Sequence, residues 1–388
     1  MRVTNVATFR NMTSSVNDLH GKLVKSYNKI NSERAYESAA ENPLAYYEGL
    51  NLDDQYQDIV TKQTVLKDVQ HRLSQQEQGV RTIQQLLSYD QSTSDGMGVS
   101  ATLLKIQNAT NKTPGTLEPL QSDLMQKMHG MVDALNSQYA GSYVFGGNDM
   151  ETCPFTLSDD GMTLTYTHRF PDGKNESIAL TLKEDPANPG NYTYNISDDD
   201  MNKIIQAMSE QGPVDVGYGY IGDRSTLLDT FVGGLNVLTG MTSQEVRTKA
   251  ISDPDGLKDD ILAGLNSSPL ALAGKGVAEV QKYLDDPEAP GAEDRLTKSI
   301  DAVLGEISNT SDRLGIMYIE IGNKYSRLED TETRLTKLST ELKEAYTDKL
   351  GADPYEAIME MYYHRYSYNA ALQVSSNLMG SSLFDFMR

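Results

Sequence analysis

One cysteine, Cys153, stands in 388 residues, and tryptophan is absent. A single thiol can build neither an intrachain disulfide framework nor the sulfur set of a structural zinc site. Positive charge is also scarce, with 34 Lys and Arg against 55 Asp and Glu and a formal net charge of −21. Nucleic acids and anionic membranes need a basic footprint, so neither is expected as a partner. No stretch approaches the roughly eighteen consecutive apolar residues that span a bilayer. The N-terminal "MRVTNVATFRNMTSSVNDLH" also lacks the apolar core of a cleavable secretory signal. The reading is a chain that stays in the cytoplasm or leaves by a route that recognises something else.

Catalytic signatures are equally thin. His20, His71, His129, His168 and His364 are scattered without metal-ligand spacing. "VGGLNVLTG" and "GYGYIGDRS" hold glycines but no Lys-Ser/Thr ending for a phosphate loop, and no G-x-S-x-G elbow occurs. The acidic runs "SDDDMN" and "SDPDGLKDD" lack the spacing of a calcium loop and read as helix starts, where carboxylates suit the positive end of the dipole. No catalytic residue, cofactor or metal ligand is expected, and the chain reads as non-enzymatic.

What is present is a period of seven. Ile300, Ile307, Leu314, Ile321, Leu328, Leu335 and Leu342 form one unbroken aliphatic line, and Leu52, Ile59, Leu66, Leu73, Val80 and Leu87 form another. Seven residues over two turns is the coiled-coil repeat. At about 1.5 Å per residue the first line extends roughly 60 Å and the second roughly 50 Å. The residues three positions on are less apolar, with Gln76, Thr310, Lys324 and Thr331 among them, so each helix alone is half a seam. A third helix or neighbouring copies should complete it. Leu117, Leu120, Leu124, Met128, Met131, Leu135 and Tyr139 supply that third helix, entered at Pro114-Gly115.

Residues 141–200 change grammar, with Thr/Tyr/Val/Ile runs between Asp-Gly and Pro-Gly turns that read as strands. In 201–291, "DMNKIIQAMSEQG" and "SQEVRTKAISD" look helical, whereas "GPVDVGYGYIGDRS" and the Gly- and Pro-rich stretch to Gly291 read as turns and strands. Both ends carry helical stripes, Val16, Leu19, Leu23 and Ile30 at the start and Ile358, Met361, Leu372, Leu378 and Leu383 at the finish, after a Gly-Ala-Asp-Pro break. Such stripes have little internal bulk to cover them and are expected to be completed by other subunits. The fold class is thus mainly α with a β-rich insertion: an antiparallel coiled-coil rod formed by both chain ends, topped by an outer α+β domain. The expected divisions are 1–43 with 352–388 (terminal helices), 44–147 with 292–351 (rod) and 148–291 (β-rich outer domain).

Several of these residues carry a resemblance. "MRVTN", "INSERAYESAAENPLAYYEGLNL", "LNSQYAGSYVFGGNDMETCPF" and "DPYEAIMEMYYHRYSYNAALQVSSNLMGSSLFDFM" are similar to stretches of the bacterial flagellin family, within it the hook–filament junction branch, the flagellar hook-associated protein 3 family. The central stretch is the most specific, with Asn136, Gly141, Tyr143, Phe145, Gly147 and Thr152 to Phe155 on the pattern; "DVGYG" and "GLNVLTG" also look like family stretches. There are departures. Glu33 stands where the family has glycine, and Glu41-Asn42-Pro43 replaces Asp-Asp-Pro. The resemblance covers the first 150 residues or so and the last 90, and implies a structural junction adaptor between hook and filament. It implies export through the flagellar type III apparatus, and hook-associated protein 1, flagellin, further copies of the chain and an export chaperone as partners. A filament subunit, or a rod displaying a surface- or glycan-binding head, stand as alternatives.

Overall fold

The computed structural model describes residues 2–88, 98–108, 112–171, 173–186, 188–217 and 226–386, with side chains from 7 to 377 within them. The loop expected at 91–99 falls mostly outside these, as does the end of "DVGYG". The chain divides into two compact units, Met1–Gln63 with Thr333–Arg388, and Thr64–Glu332.

The smaller unit holds α1 (Arg2–Ser32), the first part of α2 (Pro43–Leu87), the last part of α10 (Ala292–Leu350) and α11 (Pro354–Phe386). Helix α2 starts where Asn42 Oδ1 accepts the Ala45 amide at 3.2 Å and proline occupies the first turn, whose N–H would be orphaned anyway. Helix α11 repeats the device. Asp353 Oδ1 accepts the Tyr355 amide at 2.8 Å ahead of Pro354. The two inter-helix links meet as a short ladder, with Ala35 N donating to Leu350 O at 2.7 Å and Ala352 N to Glu33 O at 2.9 Å.

The larger unit contains the rest of α2 and α10, then α3 (Val99–Gln107) and α4 (Pro114–Leu135). A hairpin follows, β1 (Gln138–Tyr139) and β2 (Ser142–Tyr143), whose two-residue turn has positive φ at both Ala140 and Gly141, as the twist of a tight hairpin requires. An antiparallel sheet of order β3-β4-β5-β6 comes next: β3 (Phe155–Leu157), β4 (Thr163–Arg169), β5 (Asn175–Glu184) and β6 (Tyr192–Tyr194). Alternation of burial along β4 and β5 puts Leu164, Tyr166, His168, Ile178, Leu180 and Leu182 on the core face. Beyond it lie α5 (Asp198–Met208), the pair β7 (Pro213–Asp215) and β8 (Leu227–Asp229), α6 (Gly234–Thr239), α7 (Ser243–Ser252), α8 (Pro254–Asn266) and α9 (Pro269–Asp285).

The chain is therefore mainly α with a small antiparallel sheet region. Two details differ from the sequence reading. The Gly- and Pro-rich stretch before Gly291 is mostly helical, since α6, α8 and α9 occupy it. The third long helix ends at Leu135, so Tyr139 belongs to the hairpin. The acidic runs do begin helices: Ser197 caps α5 and Asp253 caps α8.

Candidate assembly surface

In the smaller unit α1 and α11 pack together in opposite directions, as the contacts Lys29–Glu360 (3.1 Å) and His20–Tyr368 (ring centres 5.5 Å apart) fix. The half-buried or buried line of α1 is Met12, Val16, Leu19, Leu23, Ser26 and Ile30, stepping four, three, four, three, four. The facing line of α11 has the same steps: Ala357, Met361, His364, Tyr368, Ala371 and Ser375. Its members are mostly small or polar. Apart from Met361 and Tyr368, the bulky residues of α11 point elsewhere, with Tyr355, Tyr363 and Tyr366 at 83%, 69% and 77% exposure and Met359 at 71%. Ile358 and Leu372 are each 41% exposed, and the side chains of Leu378 and Leu383 lie outside the described residues.

A helix whose large apolar groups ring most of its circumference needs more neighbours than one. Helix α2 adds Leu44 and Tyr47, 68% and 65% exposed, to the same unit.

In the larger unit the two lines of sevens are interior. Leu66, Leu73, Val80 and Leu87 of α2 and Ile300, Ile307, Leu314, Ile321 and Leu328 of α10 are all buried. The smaller unit buries Ile59, Leu335 and Leu342 and half-buries Leu52. Within the larger unit α2 and α10 run antiparallel, as Lys67–Glu332 (3.5 Å) and Gln84 Nε2 donating to Ser311 O (3.1 Å) establish. Leu124 and Met131 of α4 are buried too, but α4 packs chiefly on α9, with Leu124 beside Gly276 and Gln121 donating to Val277 O.

The polar second line has its own solution. Gln76 Nε2 donates to Val144 O and to Val232 O (3.0 Å), Thr310 to Ser267 O (2.8 Å) and Lys324 to Phe231 O (3.0 Å). Within this unit the half-seam is completed by loop carbonyls from the middle of the chain, a pairing that no helical period encodes.

The sequence motifs converge in the same unit. Asn136, the C-cap of α4, exchanges hydrogen bonds with Phe155, its Nδ2 donating to the carbonyl at 2.7 Å and its Oδ1 accepting the amide at 3.0 Å. Phe145 is fully buried against Gly79 of α2, and its carbonyl accepts the Gly234 amide at 2.9 Å. Gly234 opens "GLNVLTG", and a Cβ there would enter the Phe155 ring, so glycine is required for the close approach. Between these motifs Asp149 accepts amides from Thr152 (3.2 Å) and Arg169 (2.9 Å). Burial works to raise its pKa, but these bonds outweigh it and hold the carboxyl below its usual range. His168 is buried against Glu210, with Nε2 and Oε1 2.9 Å apart, which serves the core. Among the described residues no group of three or more His, Cys, Asp or Glu is placed to hold a metal, and no helix is long and apolar enough to cross a membrane.

Against solved structures, the chain superposes on a Vibrio parahaemolyticus protein assigned as a flagellar hook-associated protein, with a TM-score of 0.50, 16% identity, 80% of this chain and 100% of that one covered. The chain has the fold of that flagellar protein. Two further similar structures are FlgL of Bacillus cereus (TM-score 0.35, 12% identity, 79% and 100% covered) and FlgL of Xanthomonas campestris (0.41, 13%, 76% and 99%). Neither a protein-family model nor a curated protein sequence matches the chain.

Proposed function

We propose that the chain is a non-catalytic structural component of the bacterial flagellum, a junction adaptor between hook and filament that assembles through its terminal helices. The observation that carries this reading is α11, which turns a mostly small or polar line toward α1 and leaves Tyr355, Met359, Tyr363 and Tyr366 outward. Copies of the chain and neighbouring axial proteins, hook-associated protein 1 on one side and flagellin on the other, would cover that surface by coiled-coil packing. In this reading residues 1–43 with 352–388 line an inner tube and 44–147 with 292–351 form the helical rod. Residues 148–291 face outward. Export through the flagellar type III apparatus with a chaperone belongs to the same proposal; of its assembly residues, Val16, Leu19, Leu23, Ile30 and Met361 join α1 to α11, and Ile358, Leu372, Leu378 and Leu383 would meet neighbouring subunits.

Deleting residues 356–388 tests it. The truncated chain should keep the helicity of the larger unit by circular dichroism and fail to incorporate at hook tips. Incorporation at the full-length level would contradict the proposal.

A further inference from the structure

In a chain of net charge −21, one pocket of the larger unit gathers ammonium groups. It has a volume of about 270 Å³ and lies between α9, α10 and the turn at 188–191. The turn can lie against α10 because residue 190 is glycine: its φ is +93°, and a Cβ would fall 2.6 Å from Ser299 Oγ. Ser299 Oγ in turn donates to Gly190 O at 3.4 Å.

Lys275 and Lys298 reach the pocket from the two helices. Lys275 is only 8% exposed, and its ion partner, Glu306 Oε2, is 3.7 Å away, longer than a hydrogen bond. An ammonium has three donors, so this group is under-used where it sits. Burial pulls its pKa down while Glu306 opposes the shift. Lys298 is exposed and forms no ion pair among the described residues. Asn188, Asn191 and Ser299 add neutral donors and acceptors, and Pro189 and Ala302 an apolar side.

We propose that this pocket binds a small polyhydroxylated carboxylate, a sugar acid. Its carboxylate would meet Lys275 and Lys298, its hydroxyls Ser299, the asparagines and Glu306, and its C–H face Pro189 and Ala302. The two ammonium groups disfavour a neutral or cationic sugar. Glu306 in the wall disfavours a compact anion, which offers it no hydroxyl. The inference is independent of the flagellar reading, because it concerns other residues and another ligand.

Saturation-transfer NMR and calorimetry on the full chain, with glucuronate, glucose, acetate and glucosamine as probes, test it. Glucuronate should bind, and glucose, acetate and glucosamine should each bind at least about tenfold more weakly, the scale of one charge-assisted hydrogen bond. Lys275→Met should abolish glucuronate binding. Lys298→Gln, a change at an exposed residue, should weaken it about tenfold. Absence of glucuronate binding, equal binding of acetate or glucosamine, or unchanged affinity in Lys298→Gln would overturn the proposal.

Discussion

Glu33 is one of two non-glycine residues with positive φ among the described residues, at 55°. It stands where the resembling family places glycine, and its carbonyl is held in that conformation by the Ala352 amide. A left-handed L-residue costs roughly 1–2 kcal/mol, part of which glycine returns through its freer unfolded chain. Glu33→Gly should therefore stabilise the protein by up to about 1 kcal/mol. A thermal melt checks this, and an unchanged or lower Tm would mean the ladder imposes no strain. Gln76, Thr310 and Lys324 make a related point at the same scale. Each interrupts a seam in sequence and each bonds a distant carbonyl in the fold. Sequence spacing marks such residues as gaps, since their partners lie on other parts of the chain.

At the scale of elements, the heptad lines were legible because burial on one side of a long helix selects apolar residues at a fixed step. Leu314 is 1% exposed, whereas Asp330 on the same helix is exposed. Leu314→Glu should destabilise by more than about 4 kcal/mol through an unpaired buried carboxylate. Asp330→Glu should stay within about 0.5 kcal/mol. Urea unfolding of both variants decides, and equal midpoints would mean the line is not a core. Helix α9 was illegible for a physical reason. Leu270 to Val280 are buried on every side, so no stripe alternates with polar residues. Its Gly274 and Gly276 read as breakers, yet a Cβ at either would strike Leu182 or Leu103, so they permit close packing. Helix α11 misleads in the opposite way. Its conspicuous apolar residues Ile358 and Leu372 are outward, while the line toward α1 is Ala357, Met361, His364, Tyr368, Ala371 and Ser375.

For the whole molecule, the class of fold could be read from the change between a period near seven and short β-type runs in the middle of the chain. The bond that joins Phe145 to Gly234 could not, because it links two distant segments through backbone groups, which carry no side-chain signal. The large outward aromatics of the smaller unit are the feature that a single chain leaves uncovered. Under the proposed function, other axial subunits cover them at the boundary between hook and filament. The most direct measurement adds the purified protein to fragmented hook–filament seeds and follows growth by electron microscopy, first alone and then with flagellin. Short caps that extend only once flagellin is supplied are the expected result. Unlimited elongation by this protein alone, or no attachment to the seeds, would contradict it.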